Sequence, residues 1–540
     1  MSFIFSHSSP CLLIMGKDLR TTPVPLKIHR VPKLDGTHWS MKTLQPFFPS
    51  LEKLFKTENV AGLHDYGVKL SSPIESIVDE KNVKVHGQTI PVHRKTTMIL
   101  SPFKTMRGDY GAFGVPKRTD VADDMQERMQ SPHTAAYVGA MTSIALSESG
   151  CQHFPKVYGV YVGLATNHTI DISEDYEELT EKGWFADKIG STFELKLRTE
   201  GHDAEFSHTR RARTTLEMGE EVDLGEIEDV AADHVSNPES DSVEGYDMAS
   251  SESPEMEDDE DDDDVYDIES CACSDGTDDE EGDDEEPESF AWATFKDVPV
   301  VTTAMEVCDG TFYDLIKANP EPDKHIAWVS QVVFALAFAQ RNYGFVHNDL
   351  HGNNVMYVKT ADEFLFYKHG GQVYKIPTFG YLMKIIDFDR AIMSLRLVGM
   401  KEPKLFMSSQ FQEDEEAGGQ YNMDPFYDQK RQHIGACPSF DLVRFATSVF
   451  WDMFPKGPKH DYVHPLFHVF LQWMTQGDGS SVMFRKKMDN HDRYHGFDLY
   501  KAIARYCVDS AVPRKEIGRM TYYRATPSAA QLGDALAIDA

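Results

Sequence analysis

The 540-residue chain is poor in cysteine. Its seven, Cys11, Cys151, Cys271, Cys273, Cys308, Cys437 and Cys507, are odd in number and never spaced as C-x-x-C. That pattern offers neither a zinc framework nor a disulfide scaffold, and it suits a reducing compartment. No apolar run approaches the roughly 18 residues that a membrane span needs, so no membrane is expected as a partner. The first residues hold short apolar pieces (FIF, CLLIM) without a basic start or a clear small-residue cleavage site, so no secretory signal is expected. Basic charge is missing between Glu217 and Glu288, where 34 Asp and Glu face no Lys or Arg. The formal net charge of −35 is therefore local: outside that stretch 88 − 34 = 54 acids meet 53 bases. A nearly neutral remainder argues against a nucleic-acid partner.

The acidic stretch sets the domain plan. Segments such as MEDDEDDDDVYDIES and TDDEEGDDEEPES cannot bury enough apolar surface to offset ordering entropy, and their like charges repel. We expect residues 200–294 to be a disordered acidic insertion, a solvated spacer or a surface for basic partners. Cys271 and Cys273 inside it read as free thiols. Residues 1–57 are proline-rich and read as an irregular arm, with a helix near Leu51–Lys56.

What is present is a pair of stretches. FVHNDLHGNNVMY (345–357) sets His347, Asp349 and Asn354 in the order H-x-D-L-x-x-x-N. Phosphoryl transfer to a hydroxyl needs a carboxylate to take the hydroxyl proton and, a few residues on, a carboxamide oxygen for a Mg²⁺. KIIDFDRA (384–391) follows with an apolar strand ending in Asp387, placed to hold the Mg²⁺ that bridges ATP phosphates. A solvated loop before an ordinary core strand is the plainer alternative.

The flanking chain fits the same chemistry. NVKVHGQTI reads as a hairpin turning at His86–Gly87, and Lys95, closing VHRK, is the candidate for the phosphates, or else a solvated strand lysine. Residues 132–149 read as a helix whose single acid, Glu148, lies near its end. HFPKVYGVYVG is a strand. VPVVTTAMEVCDGTFYDLIK (298–317) reads as strand, turn and helix; as a connection between lobes it would set Met305 near adenine and let Glu306–Cys308 offer backbone hydrogen bonds. Residues 325–344 have helical spacing and end at Gly344. The gap from Asn354 to Asp387 reads as a hairpin, FLFYK and QVYKI around Gly370–Gly371. Asp441 is a candidate acceptor for backbone amides of the 345–357 loop. No G-x-G-x-x-G precedes Lys95, no A-P-E follows Asp387, and Asp389 stands where D-F-G would place glycine.

FVHNDLHGNNVMY, with RKTTMILSP, CQHFPKVYG, MEVCDGTFYDL, VYKIPTFGYLMKIIDFDRAI, AGGQYN, PSFDL and RYHGFDLYK, resembles the serine/threonine protein kinases of large nucleocytoplasmic DNA viruses. The resemblance spans about 90–165 and 295–515. It implies an α+β, bilobal protein-kinase-like fold: a β-rich N-lobe from 58–199 completed by 295–308, and an α-rich C-lobe at 309–515. Residues 516–540 form a tail whose last dozen residues read as loose. It implies ATP and Mg²⁺ as cofactors, protein substrates, and a place in the host cytoplasm or virion. Lys95 would be the ATP lysine, Asp349 the base assisted by His347, and Asn354 and Asp387 the metal ligands. Two other readings stay open: a pseudokinase scaffold and a small-molecule kinase.

Overall fold

A computed structural model describes residues 23–30, 33–45, 66–111, 113–117, 123–199, 289–413, 415–486, 491–494, 496–526, 528, 531, 533 and 535–539. The architecture is mixed α+β. Its spine is a 17-residue strand, Ser289–Met305, rich in the β-branched and aromatic residues that suit a pleated surface. In the main sheet we number the strands β1 (Met41–Gln45), β2 (His93–Met98), β3 (Val157–Asp171), β4 (Glu194–Thr199) and β5 (Ser289–Met305). Their order is β1-β3-β5-β2, with β4 also on β5, and every pairing is antiparallel. Pro299 sits inside β5, yet its carbonyl accepts from Ile99 just past the end of β2. The missing proline N–H faces the same side, where the ladder has run out, so it costs little.

The ends of the acidic stretch meet in this sheet. Thr199 pairs with Ser289, so the segment leaves and re-enters between two paired strands. Strand β5 begins at 289 rather than 295, because Phe290, Ala291 and Trp292 supply strand-forming residues before the expected boundary. Residues 200–288, with most of the expected insertion and its two cysteines, lie outside the described residues. So does the helix expected near Leu51–Lys56. The arm expected at 1–57 is not wholly irregular: Met41–Gln45 is an edge strand, with Met41 buried over the sheet.

Both expected hairpins form. Asn82–Val85 pairs with Gln88–Pro91 across His86 (φ 49°) and Gly87 (φ 75°), the two left-handed residues of the tight turn that matches strand twist. This hairpin belongs to a separate three-stranded sheet with Ser76–Ile77.

Helix α1 (Ala135–Ser147) is buried on nearly every side and packs on β3 and β5. Helix α2 (Phe312–Ala318) starts with a capping box between Thr311 and Asp314. Helix α3 (Pro322–Tyr343) has proline in its first turn and ends at Gly344 in the left-handed conformation, whose N–H returns to the Gln340 carbonyl, the start and stop that this pair of residues favours. It runs through the larger core, where its own Trp328 and Phe334 and the following Phe345 are all fully buried.

Gly344 releases the chain into the 345–354 loop. Next come β6 (Val355–Lys359), the hairpin β7 (Phe364–His369) and β8 (Gln372–Pro377), then β9 (Tyr381–Ile385) and the pair β10 (Ile392–Leu395) and β11 (Lys404–Met407). β6 and β9 are antiparallel neighbours. The β7–β8 turn is Gly370–Gly371, at φ 55° and 73°. Helices α4 (Phe440–Met453), α5 (Pro465–Trp473) and α6 (Phe497–Tyr506) complete the larger core. The tail is not loose where described: Leu536–Ala537 pairs in parallel with β7, and Ile538 is fully buried. Its apolar residues cover an exposed edge of the hairpin, which an unpaired strand requires. No described helix is long and apolar enough to cross a membrane.

Candidate active site

The loop between α3 and β6 is held by a buried carboxylate. Asp441, in the first turn of α4, is fully buried. Both of its oxygens accept the His347 N–H at 3.0 Å, and Oδ1 also accepts the Asn348 N–H at 3.0 Å. Burial pushes the Asp441 carboxyl up, and these amide bonds oppose the shift. Asn348 has φ 65°, a left-handed backbone that asparagine tolerates better than most residues. Its side chain is locked as well: Nδ2 donates to the Arg390 carbonyl at 2.9 Å, and Oδ1 accepts from the Tyr421 hydroxyl at 2.6 Å.

His347 joins the two motif stretches. Its ring is fully buried; Nε2 lies 2.7 Å from the Ile386 carbonyl, and Nδ1 accepts the Asp349 N–H at 3.3 Å. That pair of contacts assigns the proton to Nε2. The ring is therefore a clamp between the Ile386 carbonyl and the Asp349 N–H, with both of its nitrogens engaged. Phe388 fixes the other stretch from below, its ring at 3% exposure set edgewise against Phe154 and Phe345.

Asp349 faces Tyr500 and two arginines. The Tyr500 hydroxyl donates to Oδ1 at 2.6 Å, and Arg390 Nη1 stands 3.9 Å away. The Arg444 guanidinium lies 5.0 Å from the Tyr500 ring centre. Burial alone would push the Asp349 carboxyl up; Arg390, His351, Arg444 and the Tyr500 hydroxyl outweigh it and hold the group well below the usual carboxylate range. Arg390 is itself tied to Glu416 at 2.5 Å.

Asn354 and Asp387 sit at the adjoining ends of β6 and β9, where the Ile386 N–H donates to the Asn354 carbonyl at 3.0 Å. Asn354 Nδ2 donates to the Asp349 carbonyl at 2.8 Å and approaches His351 Nε2 at 3.0 Å. The amide's acceptor atom, Oδ1, is thereby the one left for a cation. Asp387 has φ 64°, a conformation that costs on the order of 1 kcal/mol and tends to persist where function holds it.

Lys95 comes to this point from β2, 292 residues away in the chain. Its Nζ lies 2.6 Å from Asp387 Oδ1 and 2.8 Å from Asp389 Oδ2. Burial would lower the Lys95 pKa, but the two carboxylates raise it above its ordinary value. Two carboxylates against one ammonium leave this trio with one net negative charge. That charge, with the Asn354 carboxamide beside it, fits Mg²⁺, which keeps few protein ligands and shares the rest with phosphate and water. Among the described residues no three His, Cys, Asp or Glu side chains converge as a preformed metal centre.

The expected adenine contacts are placed differently from one another. Met305 ends β5, buried. The Glu306 N–H is committed to the Lys156 carbonyl at 2.8 Å and cannot serve a ligand. Its carboxylate pairs with buried Lys384 at 2.9 Å. Burial pushes the Cys308 thiol up to about 12, which excludes a reactive thiolate. Glu148, the single acid expected in helix 132–149, accepts from Ser71 N and Oγ at 2.9 and 3.1 Å and takes no part in the Lys95 cluster.

Arg390, Tyr500 and Arg444 carry no recognisable role in the sequence alone. Arg390 lies inside IDFDRA and Tyr500 inside RYHGFDLYK, and both stretches were visible as motifs. Their convergence on Asp349 from separate elements was not. No family model matches the chain, and no curated protein matches it.

Proposed function

We propose that the chain is a bilobal, protein-kinase-like phosphotransferase that moves the γ-phosphoryl group of ATP to serine or threonine hydroxyls of proteins. The observation that carries this reading is the ion pair of Lys95 with Asp387, set beside an Asp349 loop anchored by Asp441. Lys95 from β2, Asp349 and Asn354 from the loop before β6, and Asp387 from the end of β9 are the groups that phosphoryl transfer uses, and their contacts support the reading. The main sheet with β5 would form the smaller lobe, and α3 to α6 the larger.

Bound Mg²⁺·ATP would supply the transferable phosphoryl group and neutralise its charge. Lys95 would meet the phosphates, and Asp387 and Asn354 Oδ1 would hold the cation. Asp349, kept ionised by its arginine neighbours, is a weak base. Its contribution is to orient the acceptor hydroxyl and take the proton late, as a loose transition state allows. The resemblance of the quoted stretches to kinases of large DNA viruses supports a protein acceptor.

The test is an acceptor panel with labelled ATP and Mg²⁺: mixed proteins, an aminoglycoside and choline. Label on serine or threonine of proteins supports the reading. Label confined to the small molecules contradicts the protein acceptor, and binding of ATP with no transfer to any acceptor contradicts the enzyme.

A further inference from the structure

Lys95 needs a fixed carboxylate to hold it at the phosphates; in protein kinases that carboxylate comes from a helix glutamate. Here the helix beside it, α1, has no acid within its bounds, and Glu148 at its end is engaged with Ser71. Asp389 sits instead on the ammonium at 2.8 Å, steadied by the Thr97 hydroxyl at 3.3 Å, with its side chain only 17% exposed. The facing residue of α1 is Gly139. A methyl group there would lie 2.0 Å from Asp389 Oδ1 and 3.1 Å from its Cγ. Glycine in a helix interior is unfavourable by about 1 kcal/mol relative to alanine, and this contact explains why no side chain fits.

We propose that Asp389 is the positioning residue for Lys95, replacing the helix carboxylate, and that Gly139 is the space made for it. The two departures, an acid in place of the loop glycine and a glycine in place of the helix acid, are then one exchange. This inference rests on the phosphotransfer reading above. The replaced groups are also within reach of each other's tasks. With Asp389 changed to glycine, a Cβ at position 139 would still be 3.3 Å from the residue-389 Cα. A glutamate from 139 would then enter the volume that the Asp389 carboxylate vacates, next to Lys95.

The experiment uses the full chain in four forms: native, Asp389→Gly, Gly139→Glu, and the double exchange. KM for ATP and kcat are measured in each, with Asp349→Asn as the control that transfer belongs to this site. Asp389→Gly restores the common D-F-G spelling, yet we expect kcat/KM for ATP to fall about 10- to 100-fold. Gly139→Glu alone is expected to be worse, because it meets Asp389 in both space and charge. The double exchange is expected to recover most of the loss. Native-like or higher activity in Asp389→Gly, or a folded double variant no better than that single, overturns the proposal. If the double variant does not fold, Asp389→Asn decides through its Mg²⁺ dependence. A loss that persists at saturating Mg²⁺ supports positioning of Lys95, whereas a loss relieved by Mg²⁺ makes Asp389 a metal ligand and overturns it. A native chain whose transfer survives Asp349→Asn refutes the underlying reading instead, so the two failures are distinguishable.

Discussion

Asp441→Asn tests whether one buried carboxylate holds the 345–354 loop. The native group accepts two backbone N–H donors, one of them shared between both oxygens, all at 3.0 Å. Hydrogen bonds to a charged acceptor contribute about 1.5–3 kcal/mol each. Asparagine keeps at Oδ1 the acceptor that both N–H groups use, but it loses the negative charge and turns an NH₂ group toward the His347 N–H, a donor facing a donor. The loop also carries the left-handed Asn348, a strain of roughly 1 kcal/mol that the anchor restrains. The sum is a destabilisation of about 2–4 kcal/mol, read as a lower urea midpoint at unchanged slope. Because His347 and Asn348 lead directly into Asp349, phosphotransfer should fall further than the folded fraction does. A loss below about 1 kcal/mol with native transfer would refute the argument that Asp441 anchors the loop.

Other outcomes follow from neighbouring contacts. In Tyr500→Phe the Asp349 carboxylate loses the hydroxyl that orients it, so kcat should fall while KM for ATP changes little; an unchanged kcat contradicts the contact. Burial holds His153 neutral, its pKa lowered to about 4. The unfolded chain then binds the extra proton, and stability should fall by about 1.4 kcal/mol per pH unit from pH ~6.5 down toward the folded pKa. His153→Gln should flatten that slope, measured by urea unfolding at several pH values. A glutamate-specific protease should cut first within 200–288, where acids abound and basic residues are scarce. The two fragments should stay associated through β5, which lies between β3 and β2; separation on gel filtration would contradict the pairing.

Local chemistry made part of this fold readable. The turns at His86–Gly87 and Gly370–Gly371 announce themselves because left-handed positions select glycine and a few polar residues. Helix α3 was legible from its helical spacing and glycine stop, although it begins at Pro322 rather than at 325. The strand Met41–Gln45 was not, because MKTLQ is short and partly polar and becomes a strand only by pairing with β3. The docked tail fails the same test: Leu536 and Ile538 look like loose apolar residues until the β7–β8 hairpin offers an edge. At the site, Asp349, Asn354 and Asp387 were visible as ordered motifs. Lys95 was one lysine among many until the sheet carried it to Asp387. Glu306 reads as a backbone ligand contact from its position, whereas its N–H is committed to the Lys156 carbonyl, a pairing with a distant stretch of chain that no local pattern reveals. Asp389 looked like a lost glycine, because the sequence does not show that Gly139 leaves room for it.

The most direct measurement is transfer of ³²P from ATP with Mg²⁺ to the chain itself and to mixed proteins, native beside Asp349→Asn. The account predicts labelled phosphoserine or phosphothreonine with the native chain and its loss with the folded variant. Equal labelling by both, or none by a well-folded native chain across several divalent metals, would contradict it.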